Sequence, residues 1–185
     1  MPPTDDIGAL LERAEGGDDG AWRRLVDLVY PDLKRLARGA RAQPRDATLG
    51  TTALVHECWL RLARAAGLPR DHDHLLALAV RIMRQVLVDH ARERLARKRG
   101  GGEALLAIDE VEPRDEREFE LIAEIDDALR TLAANAPRRA QVFECRYFGG
   151  LNDDETARAL GISPRTAHRD WDEARAWLAA ALRPA

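Results

Sequence analysis

Arginine, threonine and histidine side chains cluster in one short stretch near the C-terminus, where their chemistry suits nucleic acid. The set consists of Ser163, Arg165, Thr166, His168 and Arg169. Arginine donates paired hydrogen bonds to guanine or to phosphate, and hydroxyl and imidazole groups can bond base edges or phosphate oxygens. Such side chains read a DNA sequence when the first turn of a helix carries them into the major groove. The stretch predicts base and phosphate contacts, provided that a helix begins here.

The residues around this set predict two capped helices joined by a tight turn. Asn152 is followed three positions later by Glu155, which is the spacing of a capping box at a helix start. Gly161 can adopt the left-handed conformation that ends a helix. Ser163 and Pro164 then favour a new start, with serine as the N-cap and proline at the first helical position. A helix-turn-helix unit over residues 151–182 is the expected result.

Helix hairpins of this kind also occur where they serve packing alone, so the stretch by itself leaves two interpretations open. Ala167, Trp171, Ala174 and Leu178 recur at helical spacing and predict one inward face. That phase turns the nucleic-acid set outward, which favours DNA contact over packing. The choice between DNA contact and packing depends on features elsewhere in the chain.

A second set of basic residues lies in a predicted long helix that ends near Arg99. Its members are Arg81, Arg84, Arg92, Arg94 and Arg97. Residues 81–99 hold seven basic and two acidic residues, a net charge of +5, whereas residues 100–120 hold eight acidic and two basic residues, a net charge of −6. A basic helix that meets an acidic, glycine-containing stretch predicts a domain boundary and a solvated linker.

Apolar spacing predicts helices along the whole chain. Separate helices are expected over residues 5–15, from residue 18 or 19 to Tyr30 with Trp22 facing inward, and again after a break or kink at Pro31. Others begin near Thr51, near Leu75, near Phe119 and at Pro137. The predicted fold class is all-α, with two small helical domains joined by an acidic linker. The predicted bounds are 1–99 for the first domain, 100–117 for the linker and 118–185 for the second domain.

The composition is that of a globular, helical chain. Hydrophobic residues make up 45% and aromatic residues only 5%, and the net charge is −3. No apolar run approaches the roughly 18 residues of a membrane span, and the N-terminus lacks the features of a signal peptide. We therefore expect a cytoplasmic protein without membrane contact. Cys58 and Cys145 sit in apolar helical patterns and are expected to be buried free thiols.

No motif predicts catalysis or a metal site. His56-Glu57 would begin a zinc-protease motif only with histidine at position 60, where the chain has Leu60. His72 and His74 flank Asp73, but no cluster at metal-ligand spacing accompanies them. We predict no catalytic residue, no metal, no cofactor and no small-molecule substrate.

Four segments, which occur in order, carry a resemblance to a known family. They are LLERAEGGDDGAWRRLVDLVYPDLKRLA, TALVHECWLRL, HLLALAVRIMRQVLVDHARERLARKRGG and LAANAPRRAQVFECRYFGGLNDDETARALGISPRTAHRDWDEARAWL. Together they resemble the sigma-70 superfamily of bacterial RNA polymerase initiation factors, and more narrowly its two-domain ECF (extracytoplasmic function) class. The resemblance covers nearly the whole chain.

The resemblance implies roles for matched positions. His56, Glu57, Leu60 and Arg61 match region 2.2, which in the family docks on the clamp helices of the polymerase β′ subunit. Without the family, this face would be interpreted as merely solvated. The arginines from Arg81 to Arg97 match the regions that hold the −10 strand, although residues 60–118 contain no aromatic side chain on which bases could stack. A base pocket in the loop of residues 67–73 remains an alternative.

The C-terminal segment matches region 4, which reads the −35 element through the set from Ser163 to Arg169. The implied partners are core RNA polymerase, through its β′ clamp helices and β flap, and promoter DNA, with an anti-sigma factor as a further possible partner. We therefore interpret the chain as a non-enzymatic ECF-type sigma factor. The alternatives are a helix-turn-helix regulator that acts without polymerase, and an all-helical adaptor or anti-sigma partner that binds protein only.

Overall fold

A computed structural model describes residues 7–41, 50–64, 69, 71–99 and 113–183. Every regular element within these ranges is helical, which confirms the all-α prediction. The helices are α1 (Ile7–Glu15), α2 (Asp19–Arg41), α3 (Thr51–Leu62), α4 (His72–Arg99), α5 (Pro113–Asn135), α6 (Pro137–Phe143), α7 (Asp153–Leu160) and α8 (Pro164–Ala181). A π-helical turn over Glu144–Phe148 follows α6 directly.

Of the break or kink expected at Pro31, the break is wrong, because α2 runs through this residue without interruption. Proline has no N–H, so the carbonyl four residues earlier, that of Asp27, loses its helical partner. Both residues are exposed, so water can bond that carbonyl. Val29 and Leu33 are completely buried on either side of the proline. The packing of one continuous apolar face therefore outweighs the missing hydrogen bond.

Trp22 is less buried than the apolar spacing predicts. Its side chain remains 37% exposed, and its ring packs on that of Trp59 from α3 with 5.1 Å between centroids. A large indole at the edge of a helix pair can bury one face and leave the other in water. The pair fixes α2 beside α3 at the surface.

The 28-residue helix α4 is the centre of the molecule. It packs against α2, α3, α5, α7 and the π-helical turn. Its apolar side chains are therefore buried on several sides, among them Val80, Met83 and Ala91, each with no exposed surface. A helix in this position can present only a narrow strip to solvent.

The N-terminal helices α1–α4 and the C-terminal helices α5–α8 share one hydrophobic core. Leu33 and Met83 from the first group belong to the same buried cluster as Leu129 and Phe148 from the second. Helix α5 begins at Pro113 rather than near Phe119, so the last five residues of the predicted linker are helical. Residues 100–112 lie outside the described residues, and the two-domain division stays a prediction.

Candidate nucleic-acid interface

The first helix of the predicted helix-turn-helix unit has the capping box that its sequence predicts. The Glu155 backbone N–H donates to Oδ1 of Asn152 at 2.9 Å, and the Asn152 N–H donates to Oε2 of Glu155 at 2.9 Å. Gly161 ends α7 with a φ of 64°, in the left-handed region. These local contacts fix both ends of α7 and the direction in which the chain leaves it.

Helix α8 begins at the predicted residue and turns the predicted face inward. Ser163 is its N-cap, since the serine hydroxyl accepts from the Thr166 N–H at 3.1 Å, and Pro164 opens the helix. Ala167, Ala174 and Leu178 are buried, and Trp171 is half-buried. The helix therefore lies on the rest of the molecule along the stripe that the apolar spacing predicts.

The predicted nucleic-acid set shares the outer surface of the N-terminal turns of α8. Arg165, His168 and Arg169 are exposed, and Thr166 is half-buried. The Thr166 hydroxyl lies 2.9 Å from that of Ser163, so these two residues serve the cap as well as the surface. The structure thus brings the five residues together on one accessible face.

Carboxylates surround part of this set. Nδ1 of His168 lies 3.1 Å from Oδ2 of Asp153, and its Nε2 lies 3.4 Å from Oδ2 of Asp172. Arg169 lies within ion-pair distance of Asp170. Within the described part of the chain, Arg165 has no ion-pair or hydrogen-bond partner for its guanidinium. It is the group in the set that is most readily available to an anion.

Asp170 is a structural residue of this site that the sequence interpretation missed. Its carboxylate has no exposed surface, and it accepts from Nε of Arg138 on α6 at 2.5 Å. Burial alone would raise the pKa of Asp170, but the hydrogen bond from Arg138 holds it below its ordinary value. Its other oxygen lies 3.3 Å from Nη2 of Arg169. Asp170 therefore ties α8 to α6 and also contacts Arg169, a member of the predicted nucleic-acid set.

Two arginines hold the ring of Trp171 at the edge of the same helix. The guanidinium carbons of Arg146 and Arg175 lie 4.7 Å and 5.5 Å from the ring centroid. Arg146, from the π-helical turn, also pairs with Asp153 at the start of α7. Cation–π contacts of this kind add modest stability where they are partly shielded from water. They connect α7, α8 and the π-helical turn into one unit.

The structure divides the predicted −10 set on α4. Arg81 and Arg97 are exposed, with Arg97 paired to Glu93 of its own helix at 2.5 Å, and Arg94 is half-buried. Arg84 and Arg92 instead turn toward Asp126 of α5, at 3.4 Å and 2.9 Å. Arg84 is therefore mostly buried in its ion pairs, whereas Arg92 is paired but its side chain stays 38% exposed, and the other three members are accessible.

The predicted polymerase-binding set lies on the outer side of α3. His56 and Glu57 are exposed, and Leu60 and Arg61 are half-buried beside them. Arg61 donates to Oδ2 of Asp89 on α4 at 2.9 Å. This side of α3 is therefore accessible to solvent, with Leu60 half-buried on it.

Part of the predicted base pocket lies outside the described residues. In the loop of residues 67–73, only residue 69 and residues 71–73 are described. His72 bonds Asp32 of α2, with 2.7 Å between Nε2 and Oδ2, and the Asp71 carboxylate accepts from the His74 N–H at 2.8 Å. These contacts fix the start of α4 next to α2.

The cysteines are buried and free, as predicted. Burial raises the pKa of the Cys58 and Cys145 thiols to about 12, so neither is activated as a thiolate nucleophile. In the described ranges, no group of three or more histidine, cysteine, aspartate or glutamate side chains is arranged to hold a metal ion. None of the described helices combines the length and apolarity that crossing a membrane requires.

Comparison of the sequence with known proteins identifies the family of the chain. A search among curated proteins finds no match to the chain. The sequence model of the ECF sigma factor family matches residues 4–184, which confirms the resemblance seen in the sequence. Because that match spans almost the entire chain, the protein belongs to the ECF sigma factor family.

Proposed function

We propose that the chain binds core RNA polymerase and directs it to promoters by reading a −35 element through α8 and a −10 element through α4. It does so as a dissociable, non-catalytic subunit in the cytoplasm, where polymerase and chromosome are present. The single observation that carries the proposal is the exposed, basic first turn of the capped helix α8, on a chain that belongs to this family.

The −35 assignment is supported by the geometry of α8. Arg165 and Arg169 extend from adjacent turns of the helix into solvent, which is the placement that a recognition helix needs in a major groove. Arg165 is available for bidentate bonding to a guanine edge, and Thr166 and His168 lie beside it. The two caps hold this turn in position before DNA arrives, so little ordering is needed on binding.

The polymerase assignment is supported by the α3 surface. His56 and Glu57 are exposed there, and Leu60 is half-buried on the same side of the helix. We propose that this surface docks on the β′ clamp helices, while α8 and its neighbours lie near the β flap. An anti-sigma factor would compete for the same α3 surface.

Run-off transcription tests the proposal. Purified chain and core polymerase together should initiate from a selected promoter, whereas core alone should not. An Arg165→Ala variant should lose most of this activity at a promoter with a −35 element. DNA binding by the free chain without any core-dependent transcript would instead indicate a regulator that acts alone. Binding to protein partners only would indicate an adaptor.

A core-binding assay tests the α3 assignment separately. The double variant Glu57→Arg with Leu60→Ala should co-purify poorly with β′, because it reverses a charge and removes the apolar contact at the surface centre. The matched control is Glu12→Arg, an exposed glutamate on α1 outside this surface. Equal retention of the double variant and the control would exclude the α3 surface from the interface.

A further inference from the structure

The imidazole ring of His168 lies between two carboxylates at the surface of α8. Its Nδ1 lies 3.1 Å from Oδ2 of Asp153, the first residue of α7, and its Nε2 lies 3.4 Å from Oδ2 of Asp172, one turn further along α8. The shorter distance is that of an ordinary N–H···O hydrogen bond, whereas the longer one lies outside the usual range. The contact with Asp153 is therefore the stronger of the two.

The hydrogen bond to Asp153 fixes which way the ring faces. An ionised carboxylate can only accept, so Nδ1 must carry a hydrogen whether the ring as a whole is neutral or protonated. Nε2 then faces away from α7, on a side chain that is 64% exposed. Asp172 is 58% exposed, and a surface pair of this kind contributes little and is easily displaced. Nε2 is therefore open to a ligand on the outer side of α8.

Asp153 is itself held in place by a second partner. Its Oδ1 pairs with Nη1 of Arg146 from the π-helical turn, so each carboxylate oxygen has a partner of its own. The Arg146 side chain is only 21% exposed, and its guanidinium carbon lies 4.7 Å from the centroid of the Trp171 ring. The acceptor that orients His168 is thus anchored to the packed side of the helix-turn-helix unit.

The charge of Asp153 is the opposite of what a DNA-binding surface needs. A carboxylate beside DNA repels the phosphates, so the loss of such a charge should strengthen binding. A carboxylate is also favourable at a helix start because of the helix dipole, but exposed Asp154 in the same turn of α7 meets that need equally well. Among these two, Asp153 is distinguished by its contact with His168.

We infer that Asp153 is a positioning residue for the −35 contact, a role that rests on the proposed function. It holds His168 with Nδ1 turned toward α7 and Nε2 turned toward the DNA. The hydrogen bond that one ring nitrogen makes decides the state and the direction of the other. A side chain that already faces its ligand loses less conformational freedom on binding, so Asp153 strengthens binding although its charge opposes it.

Nuclear magnetic resonance of the free full chain tests the orientation without DNA. Long-range ¹H–¹⁵N correlation spectra at about pH 9, where an ordinary imidazole is neutral, show which ring nitrogen carries the hydrogen. The His168 signals are those that disappear in His168→Ala. In the wild type we expect the hydrogen on Nδ1. A neutral wild-type ring with its hydrogen on Nε2 would overturn the inference.

Two variants of Asp153 should move this hydrogen to Nε2. Asp153→Ala removes the acceptor. Asp153→Asn keeps an oxygen for Arg146 and turns an amide N–H toward His168, so Nδ1 must accept. Circular dichroism verifies that each variant is helical, and Asp153→Asn decides alone if Asp153→Ala does not fold. A hydrogen that stays on Nδ1 in every folded variant would show that Asp153 does not orient the ring.

A double-mutant cycle in the holoenzyme tests the role in DNA binding. The probe is the promoter that wild-type holoenzyme selects from random DNA. Asp153→Ala should weaken binding about threefold to tenfold, and His168→Ala should weaken it at least as much. In a chain that already carries His168→Ala, the loss caused by Asp153→Ala should fall below about twofold. Equal losses in both backgrounds would mean that Asp153 does not act through His168.

Asp154→Ala is the matched control. It removes the same charge from the same turn of α7, at an exposed side chain that has no contact with His168 in the described part of the chain. Its promoter affinity should equal or slightly exceed that of the wild type, because only a repulsive charge is lost. A loss as large as that of Asp153→Ala would assign the effect to the charge at the helix start and contradict positioning.

Failure of the proposed function gives a different pattern. If wild-type holoenzyme selects no promoter, the proposed function fails, and the positioning role fails with it even where Nδ1 carries the hydrogen. If the holoenzyme binds its promoter but the losses from Asp153→Ala and His168→Ala are additive, only the positioning role fails.

Discussion

Helices α4 and α8 carry the two predicted DNA-binding sets, but the arginines of the two sets differ in how far they are paired within the molecule. On α8, Arg165, His168 and Arg169 are exposed, and Arg165 has no ion-pair or hydrogen-bond partner for its guanidinium among the described residues. On α4, Arg84 and Arg92 instead pair with a buried carboxylate of α5. Basic residues on a helix therefore do not by themselves make a surface that DNA can contact. Its availability depends on what the remainder of the chain places against it.

The largest expected effect is a loss of stability when the buried side of α4 is altered. Met83 on α4 is completely buried, so Met83→Ala should lower the free energy of unfolding by about 2–5 kcal/mol through lost contacts and a residual cavity. Gln85→Ala is the control, because this neighbour on the same helix is exposed and should change stability by less than about 0.5 kcal/mol. Urea denaturation measures both, and equal midpoints would contradict the central position of α4.

DNA affinity should separate the arginines of α8 from those of α4. Arg165→Ala and Arg169→Ala should each weaken binding to a −35 duplex by about 1–3 kcal/mol in a gel-shift titration. Arg169 already pairs with Asp170, so its loss should have the smaller effect. Arg92→Ala on α4 should leave binding to this duplex unchanged. An effect of Arg92→Ala as large as that of Arg165→Ala would remove the distinction.

Substitution of Asp170 tests whether the Arg138–Asp170 ion pair ties α8 to α6. Asp170→Ala should lower the free energy of unfolding by about 1–2 kcal/mol, a small value for a buried ion pair because Arg138 is half exposed and can regain water. Asp172→Ala, which alters an exposed carboxylate two residues later, is the control and should change stability much less. Thermal unfolding that is identical for the two variants would exclude the Arg138–Asp170 pair as a tie between α6 and α8.

The smallest expected effect is the pH dependence at the contact between α4 and α5. Burial lowers the pKa of His90, whose ring packs edge-on against Phe119 with 6.0 Å between centroids. The unfolded chain then binds more protons between the folded pKa and about 6.5, so stability should fall as the pH drops through this window. His90→Gln should flatten this part of the profile. Parallel profiles for the wild type and His90→Gln would contradict this placement.

The C-terminal unit could be predicted residue by residue because its signals are local. A capping box, a left-handed glycine and a serine–proline start each act within a few residues, and all occur where the sequence places them. The inward stripe of α8 follows equally directly from helical periodicity. Asp170 lies in that same stripe, so an acidic residue at an inward position was a signal that a distant basic partner must exist.

The rest of the site depends on contacts that are distant in the sequence. Arg84 and Arg92 look like ordinary solvated cations until α5 places Asp126 against them, 34 residues beyond Arg92. The continuity of α2 through Pro31 also depends on tertiary packing, which offsets a local signal for a break. Helical periodicity alone cannot reveal which side chains a second group of helices will cover.

Selection of bound DNA from a random pool shows whether the chain gives RNA polymerase its choice of promoter. With reconstituted holoenzyme, we expect enrichment of two short motifs at a fixed spacing, and Arg165→Ala should relax only the upstream motif. The free chain should not enrich the two motifs together at this spacing. Strong enrichment of a single motif by the free chain, with no second motif added by core polymerase, would contradict a promoter-reading polymerase subunit and indicate a regulator that binds DNA alone.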